Sequence, residues 1–299
     1  MNTVEHAYSA RLLVRSLAHA TVLALVALLV ACASAPVPLS ADRIAAIVAS
    51  PDRSAADRVN DQRRKPDQML AFIAVRPGMT VLDLSAGGGY TTELLARAVG
   101  PTGRVYGQSV PRDPTNTPPP PAQPEGAATP TIAPPMSPPM PMPPAASRPA
   151  PRTSAMALAE RAKNPAAANI VAVQQRFESP VPAEAARDGL DLVTLMFNYH
   201  DLGHMGVDRA QMNRAVFAAL KPGGFYVIAD HAGRPGTGIS ESGTLHRVEE
   251  AFLRREVEAA GFRFVSEASF LRNPDDPRDR NTPEPPQPKD EFVLKFVKP

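Results

Sequence analysis

The chain has 299 residues, with 32 basic and 30 acidic side chains, 35 prolines and a single cysteine. A net charge of +2 leaves no surplus to neutralise phosphates, which argues against a nucleic-acid partner. One cysteine excludes an intramolecular disulfide framework and any cysteine-rich zinc module.

Residues 1–31 read as a signal peptide. Arg11 and Arg15 supply a basic start, and Ala20–Ala31 supplies an apolar run too short for a full bilayer span. The run stops at Leu29-Val30-Ala31-Cys32, which resembles the lipobox of bacterial lipoproteins. That resemblance implies lipidation at Cys32, a membrane anchor that does not cross the bilayer, and export to the periplasm or cell exterior. Residues 32–39 then form a tether. Residues 40–299 form the domain, interrupted at 111–152 by a segment that holds 17 of the prolines. Such a stretch cannot pack a core, favours extended polyproline conformations, and reads as a disordered insertion.

The rest alternates helix and strand. Helices are expected at 40–49 and 66–74, the second with Pro66 in its first turn. A short buried strand follows at Thr80–Leu84, then a helix at 91–99 that ends before Gly100, then a strand at 103–108. Beyond the insertion come a helix at 156–163, a weak strand at 170–174 and a strong strand at 191–198. A helix at 209–220 carries Met212, Ala215, Val216 and Leu220 three to four apart. Lys221-Pro222-Gly223-Gly224 reads as a turn before an apolar strand at 225–230. A helix at 245–260 stops at Gly261, and strands at 262–271 and 291–297 close the chain. Near-continuous apolar strands alternating with helices indicate an α/β fold, with a doubly wound, mostly parallel sheet covered on both faces. The last two strands have no helix between them, so they should pair antiparallel.

The first strong strand runs into Asp83-Leu84-Ser85-Ala86-Gly87-Gly88-Gly89-Tyr90, and a helix starts at once. A glycine-rich turn at this point lets a ligand approach the backbone, while the helix start offers free N–H groups. Alone it indicates a nucleotide-like ligand at the carboxyl edge of the first strand.

The arrangement resembles class I S-adenosylmethionine-dependent methyltransferases, and specifically a group of bacterial predicted methyltransferases. Asp83 matches the acid of that family's glycine-rich turn, Gly87 and Gly89 match its second and third glycines, and Ser85 stands where the first is usual. Arg76-Pro77-Gly78 and Lys221 to Gly224 match turns that commonly precede strands one and five, and an antiparallel C-terminal strand pair is a family trademark. The resemblance implies a Rossmann-like seven-stranded sheet, S-adenosylmethionine as cofactor, and a cofactor site at Asp83, Ser85, Gly87, Gly89, Tyr90, Gln108 and Asn198. Gln108 departs from the pattern, since an acid that binds both ribose hydroxyls is usual at the end of strand two. A neutral amide lacks the charge-assisted bidentate option, which should weaken binding about tenfold.

Four histidines lie outside the leader: His200, His204, His231 and His246. His200 and Asp201 follow strand four, and His231 follows strand five, at the strand ends that face the ligand crevice of a doubly wound sheet. Methyl transfer needs the acceptor aligned and, for oxygen or nitrogen, deprotonated. The reading therefore places His200 as base, with Asp201 or His231 as orienter or substitute. No metal site is expected, because Gly203 and Gly206 argue against a helix that would give the His200/His204 spacing meaning. The function expected is methyl transfer to a small-molecule acceptor by a membrane-tethered lipoprotein. The alternative is a non-catalytic ligand-binding lipoprotein on the same fold.

Overall fold

The computed structural model describes residues 37–111, 152–282 and 287–299. The signal peptide, Cys32 and nearly all of the proline-rich segment lie outside the described residues. The helices are α1 (Ala41–Val48), α2 (Ala55–Arg64), α3 (Pro66–Ile73), α4 (Tyr90–Val99), α5 (Ser154–Arg161), α6 (Ala183–Asp188), α7 (Asp201–His204), α8 (Arg209–Ala219) and α9 (Glu250–Ala259). The strands are β1 (Thr80–Leu84), β2 (Arg104–Ser109), β3 (Ile170–Gln174), β4 (Leu190–Met196), β5 (Leu220–His231), β6 (Arg263–Ala268) and β7 (Glu291–Val297).

They form one seven-stranded sheet in the order β3-β2-β1-β4-β5-β7-β6. The first five strands run parallel, and β7 runs antiparallel to both β5 and β6. Alternate residues of a strand feed opposite faces. Leu82 and Leu84 of β1 join a core with Met212 and Val216 of α8 and Leu253 and Val257 of α9. Val81 joins the other core, with Ile44 and Ile47 of α1, Ile73 of α3, Leu94 and Leu95 of α4, and Leu158 of α5. Burial on both faces is why these strands read as apolar runs.

Three helices were not anticipated. α2 is almost wholly polar and gives no apolar period. It is capped by Ser54 Oγ, which accepts the Asp57 N–H at 3.1 Å, and it is pinned by charge. Arg53 holds Asp61 through two bonds of 2.7 and 2.8 Å, and Arg161 of α5 holds the buried Asp57 at 2.6 and 2.9 Å. α6 has only six residues, too few for a periodic signal. α7 forms one turn despite Gly203, which has no side chain because Ile239 and Ser242 stand within 2.9 Å of where a Cβ would lie.

Several boundaries also moved: the strand expected to reach 271 ends at Ala268, and two other shifts have a visible cause. The Lys221–Gly224 turn survives as an irregularity inside β5, where pairing jumps from Leu190↔Leu220 to Leu192↔Phe225 and Gly223 takes φ +77°. α9 starts five residues later than expected, because Val248 hydrogen-bonds beside the end of β5, its N–H reaching His231 O at 3.1 Å. Among the described residues no helix is long and apolar enough to cross a membrane.

Candidate active site

The glycine-rich turn leaves β1 at Leu84 and enters α4 at Tyr90. Ser85, where the family's first glycine was expected, takes φ +53°, a region that costs an ordinary residue about 1–2 kcal/mol. Two bonds hold it there. Its N–H donates to Gln108 Oε1 at 2.9 Å, and its Oγ donates to Asn198 Oδ1 at 2.6 Å. The three glycines differ in use. A Cβ on Gly89 would lie 2.7–2.8 Å from Arg161 and Leu158, so this glycine makes room for α5. Gly88 has nothing within 4 Å of that position, and Gly87 has only Ser85 O at 3.9 Å. Helix α5 also grips the turn from behind, with Ser154 Oγ on Gly87 O and Arg161 Nε on Gly88 O, both at 2.6 Å. A cleft of about 190 Å³ opens here, lined in part by Asn60, Arg64, Ser85, Gly87, Tyr90 and Met196.

Asp83 forms part of that lining, but both its carboxylate oxygens are engaged inward. They accept from Thr92 Oγ1 at 2.6 Å and Thr194 Oγ1 at 2.7 Å. Burial pushes its pKa up to about 6, against the two hydroxyls that lower it. Asp83 thus organises the turn by tying α4 and β4 to β1. Tyr90 donates its hydroxyl to Asp61 of α2 at 2.7 Å, which joins the start of α4 to the N-terminal helices.

Gln108 is fully buried and both ends of its amide are used. While Oε1 accepts from Ser85, Nε2 donates to Gln175 O at 2.6 Å at the end of β3. The side chain expected to meet a ribose is a brace between β1, β2 and β3. A carboxylate could not do this, since it has no proton for the Gln175 carbonyl.

The histidine cluster forms at the carboxyl ends of β4 and β5. His200 is buried and lies between two carboxylates: Nδ1 is 2.5 Å from Asp230 Oδ1, and Nε2 is 3.1 Å from Asp201 Oδ1. Burial alone would lower its pKa. Asp230 and Asp201 outweigh burial and raise it to about 10, so both ring nitrogens carry protons at neutral pH. Asp201, half-buried, is held down to about 2, because His200 and His246 outweigh its burial. Its Oδ1 also meets His246 Nδ1 at 2.8 Å, and its Oδ2 accepts from Asn198 Nδ2 at 3.0 Å. His231 is buried and turned toward β7, with Nδ1 3.0 Å from Glu291 Oε1 and its ring 5.2 Å from that of His200.

The structure therefore brings Ser85, Gln108, Asn198, His200 and Asp201 into one hydrogen-bonded line. His231 packs its ring on His200 and donates its backbone N–H to Asp230 Oδ1 at 2.8 Å, and the His200 orienter is Asp230. The sequence reading gave no role to Asp230, which was only the end of the strand at 225–230. It placed His246 at the start of a helix, where the structure has a loop. Asn60 and Arg64 sit on the unanticipated α2. The signal for Asp230 was its place as the last acid of an apolar strand; α2 offered none.

No protein-family model matches this chain, and no curated protein does. Solved structures do. A SAM-dependent methyltransferase from Aquifex aeolicus aligns at TM-score 0.50 and 16% identity, over 87% of this chain and 100% of that one. A chain from the complex of the Haloferax volcanii Trm112 methyltransferase activator and a putative methyltransferase aligns at TM-score 0.48 and 17% identity, over 87% and 99%. The [4+2]-cyclase SpnF aligns at TM-score 0.49 and 14% identity, over 90% and 88%. With the strand order and the antiparallel C-terminal pair, the Aquifex likeness shows an α/β methyltransferase fold.

Proposed function

We propose that this chain is an S-adenosylmethionine-dependent methyltransferase acting on an oxygen or nitrogen of a small molecule. On this reading, acylated Cys32 holds it on a membrane facing the periplasm or cell exterior. One observation carries the catalytic part. The line from Gln108 through Ser85, Asn198 and Asp201 to His246 and His200 joins the glycine-rich turn to a polar cluster at the carboxyl ends of β4 and β5. In doubly wound sheets, ligands lie outside those strand ends.

The residues fit the methionine end of the cofactor. Gly87 and Gly88 leave open space, and Arg64 puts a cation in the cleft wall that suits a carboxylate. When bound, the cofactor offers a methyl on a sulfonium sulfur, which keeps the electron pair of the broken C–S bond. The chain's own work is to hold the acceptor in line with that methyl and to accommodate the proton the acceptor loses. His200, with each ring nitrogen already facing a carboxylate, positions Asp201 in this reading. Asp201 and His246 are the partly exposed members of the cluster, at 25% and 36% side-chain exposure.

The engaged amide of Gln108 favours a second reading, a ligand-binding lipoprotein that uses this fold without catalysis. Calorimetric titration of Pro38–Pro299 with S-adenosylmethionine and S-adenosylhomocysteine separates the two. The first reading expects binding that Gly88→Val weakens at least about tenfold with an unchanged melting temperature, because a side chain fits there but enters the cleft. A folded protein that binds neither cofactor up to about 1 mM leaves the second reading standing.

A further inference from the structure

The cluster beyond the turn has the composition of a metal site. One ligand atom each from His200, Asp201 and His246 lie within 4.8 Å of one another. Asp201 Oδ1 is the common point, 3.1 Å from His200 Nε2 and 2.8 Å from His246 Nδ1. In a tetrahedral site with bonds of about 2.0–2.2 Å, neighbouring donors stand about 3.4 Å apart. The Asp201 contacts fall about 0.3 and 0.6 Å short of that spacing, so the side chains must part and re-aim to seat an ion.

Each donor is already aimed. Asp230 takes His200 Nδ1 and turns Nε2 toward Asp201, while Asn198 takes Asp201 Oδ2 and leaves Oδ1 inward. Metal-ligating histidines and carboxylates carry such outer partners. An independent observation concerns the backbone. His246 takes φ +51°, a strained conformation that tends to persist where function requires it, and this places its ring 5.6 Å from His200 and 5.7 Å from His204. The glycine argument against a metal site falls with the observed turn of α7. It keeps His204 Nδ1 3.8 Å from Asp201 Oδ1, at the edge of the cluster.

We propose that His200 Nε2, Asp201 Oδ1 and His246 Nδ1 bind a divalent transition ion of the zinc class, with a fourth position open to solvent beside His204. Two imidazoles and one carboxylate suit Zn²⁺, Co²⁺ or Fe²⁺ and not Mg²⁺ or Ca²⁺, which take oxygen ligands. The ion replaces the protons through which His200 Nε2 and His246 Nδ1 meet the Asp201 carboxylate; the first passes to solvent, and the second leaves His246 Nδ1 for its Nε2 by way of solvent. The site shares His200, Asp201 and His246 with the methyltransferase reading, but ion binding there does not depend on it. Its use there rests on that reading: an acceptor oxygen or nitrogen in the fourth position would ionise more readily, its proton passing to water, with no histidine base required.

The test uses the full chain in detergent, without a histidine tag and stripped of metal by a chelator. Zn²⁺ titration should show one ion per chain, unaffected by excess Mg²⁺, and Co²⁺ should give the visible absorption of a low-coordinate site. His246→Ala and Asp201→Asn should each weaken Zn²⁺ binding about 100-fold or more, and Asn198→Ala about tenfold. His246 is partly exposed and Asp201→Asn keeps its shape, so circular dichroism should show both variants folded. Absence of Zn²⁺ binding, or affinities unchanged in these two variants, overturns the site. S-adenosylmethionine titration of the same sample reports on the methyltransferase reading separately.

Discussion

Gln108 shows how one side chain reassigns a position. Its amide accepts from Ser85 and donates to Gln175, and it is fully buried. Restoring the family's acid here should therefore harm the protein. Gln108→Glu leaves the Gln175 carbonyl without its donor and places a charge in the interior, at a cost of about 2–3 kcal/mol. Urea unfolding should show that loss, with no gain in S-adenosylmethionine affinity; equal stability with tighter binding would mean the side chain reaches the ribose after all. At this scale the sequence was legible where a residue acts through its own neighbours. The glycines, Asp83 and the acid beside His200 stood in a readable order. The use of Gln108 depends on a carbonyl 67 residues away, and that of His246 on a backbone angle that no pattern announces.

At the scale of elements, β1, β4 and β5 were legible because both their faces are buried, which leaves an unbroken apolar run. α2 was not, because charge attaches it. Its Asp57 lies against Arg161 of α5, which also bonds Glu93 and the Gly88 carbonyl. One arginine thus joins α2, α4, α5 and the turn. Removing one partner of a buried pair costs about 3–5 kcal/mol, and partial exposure of Arg161 reduces this. Arg161→Ala should destabilise the chain by about 2–3 kcal/mol in urea unfolding and speed hydrogen exchange at Gly87–Gly89. A change below about 0.5 kcal/mol would show the network to be idle.

At the scale of the whole molecule, strand–helix alternation and the missing final helix were enough to foresee a parallel sheet with an antiparallel end. The position of β7 between β5 and β6 was not written in any local pattern. The anchor is a separate matter, argued from residues 29–32. Cys32→Ser should move the protein from the membrane fraction to the soluble fraction, and continued pelleting after an alkaline wash would refute lipidation.

The place of β7 has a consequence in time. It is an inner strand that pairs with β5 and carries β6 on its other edge, yet it follows every other strand in the chain. During synthesis five parallel strands and β6 emerge first, and β6 then has no partner to bond. The sheet closes only when β7 leaves the ribosome. Until then the outer edge of β5 lacks its partner, and the last strand made is the one that completes the sheet.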